Sequence, residues 1–146
     1  MSTIQKLSLL CGLLLGLCCS PASAQPANDD CVAATAIGEG TFPLDTSGSS
    51  LDGPTDADAN MGADVWFLYT ATTGGLATIE TCGTSGTLSD SVIIVYDASN
   101  GCPGAGDPGI ASDDDGCSTP TFSSTLSLPI CAGDSLYIQV GGWNGA

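Results

Sequence analysis

Val65-Trp66-Phe67-Leu68-Tyr69-Thr70 is the stretch from which the fold is read. β-Branched and aromatic side chains fit a pleated, half-buried surface and lose rotamer freedom in a helix, so this run predicts a strand. The two-residue period of a strand puts Val65, Phe67 and Tyr69 on one face and Trp66, Leu68 and Thr70 on the other. Near the end of the chain the same alternation sets Leu136, Ile138 and Val140 against Tyr137 and Gln139. Between and around these runs, strands are predicted over Val65–Ala71, Leu76–Thr81, Ser91–Asp97, Phe122–Leu128 and Ser135–Gly141, with shorter ones near Thr41–Thr46 and Ile110. Thr73-Gly74-Gly75, Asn100-Gly101 and Ala132-Gly133-Asp134 supply the turns. One short helix is expected from Asp30 to Thr35, capped by Asn28 or Asp29. The expected fold is all-β, an antiparallel two-sheet sandwich whose inner faces meet through the alternating apolar sets.

Composition narrows the function. The 146 residues hold 16 Asp plus Glu and a single basic residue, Lys6, with no His, for a formal charge of -15. Without imidazole there is neither a Ser-His-Asp triad nor a His-ligated metal site. Lys6, the apolar run Leu7–Cys19 and the small residues Ala22-Ser23-Ala24 have the layout of a cleavable signal peptide spanning residues 1–24. That apolar run falls short of the roughly 20 residues that cross a bilayer. Cleavage before Gln25 leaves residues 25–146 as one domain with no cationic side chain. Phosphate neutralisation, and with it nucleic-acid binding, is excluded, and no membrane insertion is expected after cleavage. The expected localisation is secreted or at the cell surface, and metal cations are the natural counterions.

Cys31, Cys82, Cys102, Cys117 and Cys131 remain after cleavage, while Cys11, Cys18 and Cys19 leave with the signal. None of the five forms a CxxC pair, so disulfides rather than a zinc site are expected in an oxidising compartment. Cys102 and Cys117 flank a Gly-, Pro- and Asp-rich loop and are expected to close it. Cys31 is then expected to pair with Cys82, and Cys131 is left over.

Taken in order, several segments are similar to the bacterial pre-peptidase C-terminal domain, a secreted non-catalytic β-sandwich with jelly-roll character. They are Asn28-Asp29-Asp30-Cys31, Gly62-Ala63-Asp64-Val65-Trp66-Phe67-Leu68-Tyr69, Asp90-Ser91-Val92-Ile93-Ile94-Val95-Tyr96-Asp97, Ile110-Ala111-Ser112-Asp113-Asp114-Asp115, and Ala132 through Trp143. The resemblance implies a calcium site at Asn28, Asp29 and Asp64. Val65 departs from the pattern where many members carry a second Asp. It also implies a further strand after the Asn144-Gly145 turn, so the chain is expected to lack its last strand and to leave an unpaired edge.

The remaining acidic groups are further metal candidates. Asp113-Asp114-Asp115 forms one dense loop, and Asp56 and Asp58, with Asp52, lie in the long irregular stretch Ser47–Ala63. The Asp56-x-Asp58-x-Asn60 spacing starts like an EF-hand, but Met61 replaces the required Gly and Phe67 the bidentate Glu. For carboxylate catalysis the only Glu residues are Glu39 and Glu80, and no other base is present, so no enzymatic activity is expected. Trp66, Tyr69, Tyr96, Tyr137 and Trp143 offer rings for sugar stacking, Trp143 above all because it stands among glycines. The expectation is an accessory or interaction module of a larger secreted or surface protein, stabilised by calcium, with a carbohydrate-binding module as the alternative. Its expected partners are other domains of the parent protein, an extracellular protein or a polysaccharide.

Overall fold

A computed structural model describes residues 24–83, 88–119 and 121–146. Nearly all of the expected signal peptide lies outside the described residues. The strands are β1 (Thr35–Ile37), β2 (Met61–Thr70), β3 (Gly75–Glu80), β4 (Ser91–Asp97), β5 (Ala111–Asp113), β6 (Thr125–Ile130) and β7 (Ser135–Trp143). They form a five-stranded sheet in the order β1-β2-β7-β4-β5 and a two-stranded sheet of β3 and β6. Every pairing is antiparallel except β1 with β2. The all-β sandwich expected from the alternation is therefore present.

The helix expected over Asp30–Thr35 shrinks to one 3-10 turn, Cys31–Ala33, with no side-chain cap bond from Asp30. The reason is that Thr35–Ile37 is drawn into β1 beside β2. Thr41–Thr46 forms no strand, and the Ile110 strand lies at Ala111–Asp113.

Val65, Phe67 and Tyr69 do share the inner face with Leu136, Ile138 and Val140, joined there by Ile93 and Val95 of β4 and Leu128 of β6. The other face of the large sheet is buried as well. Trp66, Val92, Ile94 and Tyr96 form a second cluster with Met61 and Cys31, against which Ala34, Ala57 and Cys102 pack. β4 accordingly has six consecutive buried residues, as a central strand covered on both faces must.

The disulfides are Cys31–Cys102 and Cys82–Cys117, with Cα separations of 5.9 and 5.7 Å. The four expected cysteines are the paired ones, but the expected pairings Cys102–Cys117 and Cys31–Cys82 are corrected. Cys31 and Cys102 both belong to the layer outside the large sheet, whereas Cys82 and Cys117 lie beside β6 on the other side. Closing the Cys102–Cys117 loop on itself would require one of these cysteines to cross the sheet. Cys131 is free and exposed.

The turn after β7 forms as Asn-Gly predicts: Asn144 and Gly145 have φ of 49° and 81°, and Ala146 N donates to Trp143 O at 3.0 Å. The open edge expected on this last strand is corrected, because β7 is held by β2 on one side and β4 on the other. Among the described strands the edges are β1 and β5, of three residues each, and the longer β3 and β6, of six residues each.

Candidate functional site

The Asp113–Asp115 loop is organised by hydrogen bonds that begin at the end of β5. Asp113 Oδ2 accepts from Gly116 N and Thr125 N, both at 2.8 Å, which turns the chain and ties β5 to β6. Gly116 leaves no room for a side chain, since a Cβ there would stand 2.4 Å from Asp113 Oδ2. Ser124 Oγ donates to Asp114 O at 2.9 Å and also reaches Ser91 O. Ser91 N in turn donates to Phe122 O at 2.9 Å, so the start of β4 is held beside the same loop.

This arrangement brings Asp90, which immediately precedes β4, up to Asp114 and Asp115. Carboxylate oxygens of the three lie within 4.8 Å of one another, the sole such group among the described residues. Asp114 Oδ1 is buried and has no hydrogen-bond partner. Burial, reinforced by the charges of Asp115, Asp58, Asp90 and Asp113, raises the Asp114 carboxyl to about 6. Asp90 is raised for the same reasons, burial first and then Asp115. Asp58, whose Oδ1 accepts from Asn60 N at 2.8 Å, is thus the contribution of the long loop to this field. Asp56 is elsewhere, accepting from Gly106 N at 2.9 Å.

Asn28, Asp29 and Asp64 also come together, but in a network of protein donors. Asn28 Nδ2 donates to Trp66 O and its carbonyl accepts from Trp66 N, at 3.0 and 2.8 Å. Asp29 accepts from Ser50 N, Ser50 Oγ and Gln25 Nε2 at 2.7, 2.9 and 2.7 Å. Asp64, fully buried on β2, accepts from Gln139 Nε2 and from Asp52 N, and Asp52 itself accepts from Trp66 Nε1 at 2.9 Å. Burial is the main cause that raises Asp64 to about 6; the Gln139 amide opposes it and the charge of Asp52 adds to it. These oxygens are committed to the chain itself, whereas Asp114 Oδ1 is not.

The aromatic residues are mostly structural. Trp66 and Tyr96 are buried with ring centres 5.8 Å apart, Tyr137 stands edge-on to Trp66, and Tyr69 is buried and donates to Glu39 Oε1. Trp143 remains 36% exposed.

Sequence reading named Asp52 only as a long-loop carboxylate, and it missed Asp90, Gln139 and the buried hydroxyls of Ser91 and Ser124 as members of these sites. Asp90 stands 24 residues before Asp114 and carries no spacing signal. Gln139 was legible only as the polar member of an alternating strand, a position that normally faces solvent.

No helix among the described residues is long and apolar enough to cross a membrane. Comparison with family models, with curated proteins and with solved structures finds no match, so the likeness to the pre-peptidase C-terminal domain stands on the quoted motifs alone.

Proposed function

We propose that this chain is an exported, non-catalytic β-sandwich module, an accessory or interaction domain of a larger secreted or cell-surface protein, in which calcium joins Asp90 to Asp114 and Asp115. The observation that carries the cation is Asp114 Oδ1, a buried carboxylate oxygen with no protein partner amid three convergent carboxylates. A buried charge without a partner is costly, and no Lys, Arg or His exists among the described residues to neutralise it. Calcium takes oxygen ligands in flexible geometry, and extracellular concentrations fill weak sites. Two disulfides fit an oxidising compartment. The resemblance to a secreted non-catalytic domain supports the same reading of the whole.

The test is thermal melting in millimolar calcium against chelator at matched ionic strength, for wild type, Asp114→Asn and Asp64→Asn. Calcium at 100 times its dissociation constant stabilises the folded form by about 2.7 kcal/mol. The expected result is a rise in melting temperature that Asp114→Asn abolishes and Asp64→Asn retains. Equal melting in both buffers rejects the cation. A shift lost only in Asp64→Asn moves it to the Asn28, Asp29 and Asp64 group.

A further inference from the structure

Among the described residues the sandwich is unequal, five strands against two, and β3 and β6 are both edges of the small sheet. The outer edge of β6 is tied to β5 only at its start, through Thr125 N and Asp113 Oδ2, and farther along it carries Pro129, which has no N–H to offer an added strand. Alongside β3 runs a groove of about 390 Å³ whose floor includes Phe67 of β2 and Ile138 of β7. Its far wall is the irregular segment Gly38–Leu44, with Phe42 and Leu44 turned to it. No described strand pairs with this edge of β3.

The phase of the ladder says which backbone groups are involved. Thr81 N donates to Ser124 O, so the alternating antiparallel pattern directs the peptide groups of Gly75, Ala77 and Ile79 toward β6. Those of Leu76, Thr78 and Glu80 face the groove. Pro129 stands opposite Leu76, at a position that owes no bond to β3, in agreement with this phase. Ala77 and Ile79 point their side chains at the core yet are only partly covered, and Leu76 is 71% exposed.

We propose that the groove beside β3 takes an extended strand of a partner polypeptide, alternating apolar residues with Lys or Arg, as a third strand of the small sheet. Main-chain bonds to Leu76, Thr78 and Glu80 supply affinity, and apolar side chains on alternate positions cover the floor. The charge follows from the walls. Glu80 lies on β3 and Glu39 on the opposite side, and the described surface has no cation at all. A second copy of this chain would bring like charge to the contact, whereas a basic strand is attracted. The inference rests on the interaction-module reading and gives it a surface and a partner chemistry.

The probe is a nine-residue peptide alternating Val and Lys, titrated against the domain with two-dimensional amide spectra. Binding is expected to shift the amides of Leu76, Thr78 and Glu80. Affinity should fall at least tenfold for the same peptide N-methylated throughout and at least tenfold when Glu replaces Lys. Thr78→Pro removes one outward N–H, keeps the backbone bonds to β6 while giving up the exposed Thr78 Oγ1–Ser127 Oγ bond, and should weaken binding by a similar factor; Thr78→Val, which gives up that side-chain bond but keeps the N–H, should bind normally. Glu80→Lys, at an exposed position, keeps the fold and should reverse the preference between the Lys and Glu peptides. Equal binding of the N-methylated peptide, shifts confined to Asp113–Asp115, dimerisation of the chain alone through β3, or no shift at millimolar peptide would each overturn the proposal. Failure here with the calcium shift intact removes only the strand site. Loss of the calcium shift with strand binding intact removes only the cation.

Discussion

Gln139 on β7 and Asp64 on β2 are both completely sealed from solvent, and the amide of one donates to the carboxylate of the other across the sheet. Gln139 is also addressed from β4, where the Tyr96 hydroxyl donates to its Oε1 at 2.8 Å. Three adjacent strands are thus joined by one polar chain under the Cys31–Cys102 layer, and Asp52 of the long loop closes it by accepting from Trp66 Nε1 of β2 and donating its N–H to Asp64. A satisfied buried network of this kind fixes register, because a one-residue slip would bury every member without a partner.

Stability should fall as pH rises through this network. Asp64 has its carboxyl raised from 3.8 to about 6 on folding, so the folded chain holds a proton that the unfolded chain has lost. Its stabilising contribution is full below pH 3.8 and disappears as pH passes 6. Melting of the protein in chelator from pH 4 to 7 should show the decline, and Asp64→Asn should reduce it, leaving the share of Asp114, whose carboxyl is raised to about 6 as well. An unchanged slope in that variant would assign the titration to another group.

Gly53 is required by contact rather than by conformation. A Cβ there would stand 2.3 Å from Gln139 Nε2 and 2.4 Å from Trp66 Cζ2, both fixed by burial. Gly53→Ala should destabilise by about 1–3 kcal/mol through overpacking. Chemical denaturation would show it, and a loss within 0.5 kcal/mol would mean that the long loop lifts away without cost.

Ser124→Ala removes a hydroxyl that serves both Ser91 O and Asp114 O. Leaving buried acceptors without a donor costs about 1–3 kcal/mol. Because Asp114 O is one of them, the variant should also reduce the calcium-induced rise in melting temperature. A destabilised variant with the full calcium response would separate loop anchoring from cation binding.

Each disulfide closes a long loop, with separations of 71 and 35 residues, and chain entropy assigns roughly 4 kcal/mol to each. Cys31→Ser or Cys82→Ser should lower the unfolding free energy by about 2–4 kcal/mol, whereas Cys131→Ser should change little. Mapping of non-reduced peptides should recover Cys31 with Cys102 and Cys82 with Cys117. A Cys102–Cys117 peptide would contradict the layer arrangement.

What the sequence determined by itself was local. Alternation in Val65–Thr70 and Ser135–Gly141 placed Val65, Phe67, Tyr69, Leu136, Ile138 and Val140 on one inner face, because a strand has a fixed period of two. Asn144-Gly145 announced its own turn, because positive φ at consecutive positions suits those residues. The tertiary structure decided everything that depends on which strand lies beside which. Placing β7 between β2 and β4 removed its open edge and left β1, β5, β3 and β6 as the edge strands among the described residues. Burying the outer face of the large sheet took Trp66 and Tyr96 into a core and made Gln139, read only as lying on the face opposite Leu136, Ile138 and Val140, the centre of a network. The same layering chose the disulfide partners and brought Asp90 to Asp114 across 24 residues, since contact between distant segments is set by sheet order and not by spacing along the chain.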